Sequence, residues 1–163
     1  MVIRILSIFS IMLFFAACNT TPKESASDSG SGALTSVDYT SDGIRAGSSE
    51  DLIVNVGDRI YFALNSHELS SSSKERLQAQ AAWLKQYGKV NVLIEGHCDE
   101  RGTREYNIAL GERRAQSMKN FLIGLGVEAG RLSTISYGKE RPAVLGSNDA
   151  AWDQNRRAVA VVN

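Results

Sequence analysis

The stretch VNVLIEGHCDERGTREYNIALGERRA, residues 90–115, runs from a strand through a charged loop into a helix without interruption. Val90 to Glu95 presents apolar side chains on both faces, the pattern of a strand central in a sheet. Gly96 ends it. Thr103 then offers an oxygen to the first turn of a helix, and Glu105 sets negative charge near that helix's positive end. Ile108, Ala115, Met118 and Leu122 recur at helical spacing and predict the stripe that faces the core. Gly124 and Gly126 close the helix.

Upstream, Ile53, Val54 and Val56 precede Arg59 to Ala63, which reads as a strand. Asn65 to Ser73 is polar and turn-like, and one of its serines caps the next helix. That helix, Lys74 to Tyr87, shows Leu77, Ala81, Leu84 and Tyr87 on one face before Gly88 stops it. Downstream, Arg131 to Tyr137 and Arg157 to Val162 read as strands. Between them lies a loop with Gly138, Pro142 and Gly146, then a short helical piece from Ala150 to Asn155. The order strand, helix, strand, helix, strand, strand predicts an α/β two-layer sandwich. Two main helices pack on one face of a mixed four-stranded sheet.

The amino-terminal residues predict something other than fold. Arg4 opens the chain with positive charge, and the apolar run from Ile5 to Phe15 is 11 residues long. As a helix it spans roughly 17 Å, short of the about 30 Å of a bilayer's hydrocarbon core. Residues 1–17 therefore read as a signal peptide. Phe15-Ala16-Ala17-Cys18 ends the run with small side chains before a cysteine whose thiol can carry a lipid. It resembles the lipobox of bacterial lipoproteins, with Phe15 where leucine is usual. An ordinary secretory signal with a chance cysteine is the alternative. Several acyl chains at about 0.8 kcal/mol per buried CH₂ would make the anchor permanent. Residues 18–51 read as the lipidated terminus and a flexible linker. TTPKESASDSGSGALTS holds too few large apolar residues to offset its ordering entropy. The whole linker, from Asn19 to about Asp51, has an r.m.s. reach of roughly 31 Å. The folded domain is expected over 52–163.

Charge points to no polyelectrolyte partner. Lysine plus arginine equals aspartate plus glutamate at 18 each, which argues against nucleic acid. With 43% hydrophobic and 22% charged residues in 163, the chain has material for one core and one domain.

The chemistry concentrates between Gly96 and Ala115, where charges crowd the end of a strand, a place where ligands sit in such sheets. Asn107, Leu110 and Arg114, spaced i, i+3, i+7, share a helix face distinct from the core stripe. Asp99, in the loop, can bend toward it. An acid and an arginine flanking an apolar patch suit a ligand with an ammonium and a carboxylate on one carbon. A structural ion pair has the same signature. His97, Cys98, Asp99 and Glu100 are metal-ligand types, but adjacent residues cannot all face one ion, so no metal and no cofactor is expected. No serine–histidine or cysteine–histidine motif marks a hydrolase, and no Gly-Lys-Ser/Thr marks a phosphate loop. The chain is expected not to be an enzyme. Arg156 and Arg157 are expected to pair with acids across the sheet, or to belong to a partner surface.

GHCDERGTREYNIALGERRA, with SYGKERPAVLG and NRRAVAVV downstream, resembles the OmpA-like peptidoglycan-binding domain over about residues 56–163. The resemblance implies non-covalent binding of the diaminopimelate in the peptidoglycan stem peptide. Asp99 matches the family's aspartate for the ammonium, Arg114 its arginine for the carboxylate, and Leu110 and Asn107 neighbouring contacts. Leu64-Asn65 stands where Phe-Asp is usual at the mouth of the site, Cys98 replaces threonine, and Arg104 replaces proline. Cys98 is expected to be half-buried and without redox work. For a lipid-anchored member, the resemblance implies TolB and the Tol complex as partners in outer-membrane constriction at division. Asn19 after the cysteine, in place of aspartate, implies sorting to the outer membrane, facing the periplasm. A wall-binding lipoprotein outside the Tol system, or a periplasmic hydrolase, are the alternatives.

Overall fold

A computed structural model describes residues 38–163. The signal peptide, Cys18 and the first part of the linker lie outside the described residues.

Order begins before Leu52. Tyr39 bridges Arg45, and the helical turn α1 (Ser49–Asp51) is capped by the Ser48 side chain. The chain continues into a π-helical segment, Leu52–Val56. Asp51 is buried and explains the early start. Its carboxylate accepts from Gly47 N at 2.8 Å, Asn55 Nδ2 at 2.8 Å and Trp83 Nε1 at 2.9 Å. The expected boundary at residue 52 is therefore corrected toward the amino terminus. The apolar string Ile53 and Val54 is exposed, while Leu52 enters the core.

Four strands follow as β1 (Arg59–Tyr61), β2 (Val92–His97), β3 (Leu132–Gly138) and β4 (Arg157–Val162). They lie in the order β1-β4-β2-β3, with β2 parallel to β3 and antiparallel to β4. β2 is thus central, as its two-sided apolar pattern requires. The register shifts between Gly96 and His97 at its carboxyl end. α2 (Ser71–Gln86) begins at the Ser70 cap, whose oxygen accepts from Ser73 N at 3.1 Å. α3 (Arg104–Gly124) begins at the Thr103 cap, whose oxygen accepts from Tyr106 N at 3.2 Å. A short α4 (Asp149–Asn155) precedes β4.

Both long helices face the sheet through apolar stripes. Leu77, Ala81 and Leu84 of α2 meet Ala115, Met118 and Leu122 of α3 over Ile60, Val92, Ile94 and Ala158 of the sheet. Each fully buried leucine or isoleucine stabilises by about 1.5–3 kcal/mol. Ile108, expected in the stripe, is only partly buried.

Candidate ligand-binding site

Asp99 follows the end of β2 and is 4% exposed. Its Oδ1 accepts from Arg101 N and Nε, both at 3.2 Å, and its Oδ2 from Arg101 Nη2 at 2.6 Å and Arg156 Nη1 at 3.3 Å. Burial raises its pKa, but the bonds and charge from Arg101, with Arg156, outweigh this and hold it below the usual carboxylate value. Asp99 is therefore an ion at neutral pH. Its partners are Arg101 and Arg156; no Asp99–Arg114 bond is among the described residues' ion pairs.

Arg114 has no exposed surface, and the face it shares with Asn107 and Leu110 is buried. The face is buried yet stays distinct from the core stripe, since none of the three joins the apolar cluster of Ala115, Met118 and Leu122. Backbone polarity draws Arg114 inside: two loop carbonyls and one at the end of β2 need donors within the fold. Arg114 Nε donates to Ser66 O at 2.9 Å, Nη1 to His97 O at 2.7 Å and Nη2 to Ala63 O at 3.1 Å. It lies beside the Phe62 ring, 5.2 Å from its centroid. Arg114 thus pins the loop carrying Leu64 and Asn65 to the end of β2.

Asn107 holds the other loop. Its Nδ2 donates to Arg101 O at 2.8 Å and Thr103 O at 3.1 Å, across the turn where Gly102 has φ +88°. Cys98 is buried, not half-buried, and its thiol donates to Asn107 O at 3.3 Å. Burial pushes the Cys98 thiol's pKa up, so it stays protonated.

Above these supports lies a cleft of about 330 Å³ lined by Leu64, Asn65, Arg101, Gly102 and Tyr106. Leu64 is 52% exposed. Asn65 sits at φ 54°, a left-handed conformation that asparagine tolerates better than most residues. The two loops predicted to flank the site thus meet at one cleft. Arg101 and Tyr106 also line it, though the sequence did not single them out. Arg101 stacks over Trp152 at 4.0 Å, and Trp152 Nε1 donates to Glu100 Oε1 at 3.0 Å. A charge two residues from Asp99 was the available signal for Arg101; nothing local signalled Trp152.

Arg156 pairs with Asp99 and Asp153 and donates to Phe62 O at 3.0 Å, as expected of a structural arginine. Arg157 does not match that expectation. It donates to the carbonyls of Asn155 and Arg141. Among the described residues no three His, Cys, Asp or Glu side chains converge as metal ligands.

A mixed sheet backed by two helices, with a charged cleft beyond the end of its central strand, defines a small ligand-binding module. The chain belongs to the OmpA family, whose pattern matches residues 61–158. It is 53% identical over 117 residues to the peptidoglycan-associated lipoprotein of Brucella melitensis, covering 72% of this chain and 70% of that one. It is 51% identical over 100 residues to the peptidoglycan-associated lipoprotein of Haemophilus influenzae, covering 61% and 65%. The crystal structure of the peptidoglycan-associated lipoprotein from Burkholderia pseudomallei superposes with a TM-score of 0.64 at 40% identity, covering 65% of this chain and 90% of that one. The expected fold, a two-layer sandwich on a mixed four-stranded sheet, is the fold observed.

Proposed function

We propose that this chain is a non-enzymatic lipoprotein that binds peptidoglycan through the cleft beside Asp99. The observation that carries the reading is a buried, ionised carboxylate whose partner Arg101 lines the cleft, in a chain whose relatives are named peptidoglycan-associated lipoproteins. The ligand is the free amino-acid head of diaminopimelate. Asp99 takes its ammonium. Arg114 takes its carboxylate with the guanidinium hydrogens left over from its three carbonyl bonds. Leu64 and Tyr106 cover the ligand's apolar stem, and Leu110 and Asn107 support the wall beneath.

Cys18 anchors the chain to the outer membrane, and the linker lets the domain reach the wall on the periplasmic side. Outer membrane and wall are thereby tied without a covalent bond. In this reading TolB and the Tol complex are its partners, and the tether serves constriction at division. Purified protein should sediment with sacculi and leave their muropeptide profile unchanged. Failure to sediment, or protein-dependent release of fragments, contradicts this function.

A further inference from the structure

Asp99 has no acceptor site to spare. A carboxylate offers about four lone-pair positions, and four donors already point at it. Three belong to Arg101: its backbone N, Nε and Nη2. The fourth is Arg156 Nη1. The two arginines are held differently. Arg156 has a side chain only 11% exposed and is fastened to Phe62 O and Asp153 as well. Arg101 has a side chain 36% exposed, lines the cleft, and has no other acceptor for its guanidinium among the described residues. Its backbone stays in place through the Asn107 bond to its carbonyl, while its side chain can turn over Trp152.

We infer that Arg101 is a specificity-determining residue that holds Asp99 in the ligand's stead and yields only to a head carrying both ammonium and carboxylate. The inference rests on the proposed reading of the cleft and adds the basis of its selectivity. A zwitterionic head replaces both halves of the resident pair. Its ammonium takes the guanidinium's place on Asp99, and its carboxylate, shared with Arg114, pairs the released Arg101 over Trp152. A plain amine replaces one half and leaves Arg101 without a counter-ion. The resident pair therefore works against simple cations more than against zwitterions.

Titration calorimetry of the whole protein in detergent with meso-diaminopimelate and with cadaverine, the same diamine without its carboxylates, tests this. Wild type should prefer diaminopimelate, and R101Q should narrow that preference by about tenfold or more, chiefly by tightening cadaverine. R101K, which keeps the charge but loses the fork, should fall between. The preference is a ratio within one preparation, so an unfolded fraction cancels. An R101Q protein with the wild-type ratio overturns the inference alone. Wild type that binds neither diaminopimelate nor sacculi overturns the reading of the cleft, and the inference with it.

Discussion

Gly96 of β2 and Gly111 of α3 meet backbone to backbone, and this contact sets how closely the helix approaches the sheet. A methyl group at Gly96 would fall inside the Gly111 carbonyl; one at Gly111 would meet the Ser136 hydroxyl and Gly96 O. The close approach lets Arg114 reach His97 O at 2.7 Å and tie the cleft's first loop to the strand end. Gly96→Ala should therefore cost about 1–3 kcal/mol or more, because backbone cannot yield as a side chain can. Gly124→Ala, which meets nothing within 4 Å, should be neutral or slightly stabilising. Thermal melts of the two variants compare them directly; equal melting temperatures would refute the packing argument.

Asp51 supports the start of the fold. Asp51→Ala leaves Trp83 Nε1, Asn55 Nδ2 and Gly47 N without their acceptor. Of these only Trp83 Nε1 is buried away from water; such an orphan costs about 1–3 kcal/mol, so denaturant unfolding should shift by about that much. A chain begun at Leu52 should be less stable than one begun at Asp38 by a similar amount. Equal midpoints would place the domain boundary back at residue 52.

His97 makes stability depend on mild acid. It is 1% exposed, and burial, then the charge of Arg157, lowers its pKa from 6.5 to about 4. Arg141 and Arg59 add further positive charge, a backbone bond at Arg141 opposes the shift, and Tyr137 stacks beside the ring at 5.6 Å. The folded ring is neutral, so its 3.3 Å contact with Glu95 is a hydrogen bond from Nε2 and not an ion pair. Between about pH 6.5 and 4 the unfolded chain binds a proton that the folded chain refuses, so stability falls as pH falls. The span corresponds to roughly 3 kcal/mol. His97→Phe should flatten this slope in urea titrations between pH 7 and 4. An unchanged slope would show that other groups carry it. Asp51 and Asp99 act lower: their pKa values are depressed, so their contributions hold above the ordinary carboxylate pKa and fade only below it.

Local signals were legible and long-range ones were not. Ser70 and Thr103 cap their helices where a hydroxyl before a periodic run predicted it, and β4 spans the residues expected. The placement of β4 between β1 and β2 is a pairing across most of the domain, which no local pattern encodes. Ile53 and Val54 look like the approach to a strand because β-branched residues favour one. Asp51's hydrogen bonds hold that segment in a helical turn instead. At the site, Asp99 was readable as a loop acid after a strand, while Leu64 and Asn65 were marked only by the family resemblance. Arg114's burial was not readable, since its three carbonyl partners come from a distant loop and the end of β2.

The anchor has its own test. Cys18→Ala should abolish labelling by a radioactive fatty acid and leave an uncleaved or soluble form, because the remaining thiol, Cys98, is buried in the folded domain and far along the chain from the signal. A variant still lipid-labelled in the outer membrane would contradict the assignment of Cys18.

The central claim is that Asp99 and Arg114 hold the two charges of one ligand head, and affinity for purified sacculi measures it. Removing one partner of a desolvated charge pair costs about 2–5 kcal/mol, roughly 30- to several-thousand-fold in affinity. Asp99→Ala and Arg114→Ala should each lose binding on that scale, and the double variant should lose less than the sum. Arg114→Ala should also melt earlier, because it frees the carbonyls of Ala63, Ser66 and His97. Asp99→Ala is therefore the more direct variant, its melting temperature followed in parallel. A folded Asp99→Ala protein with at least about a 30-fold weaker grip on sacculi is the result expected. The same protein, folded and binding sacculi as wild type does, would place the grip elsewhere.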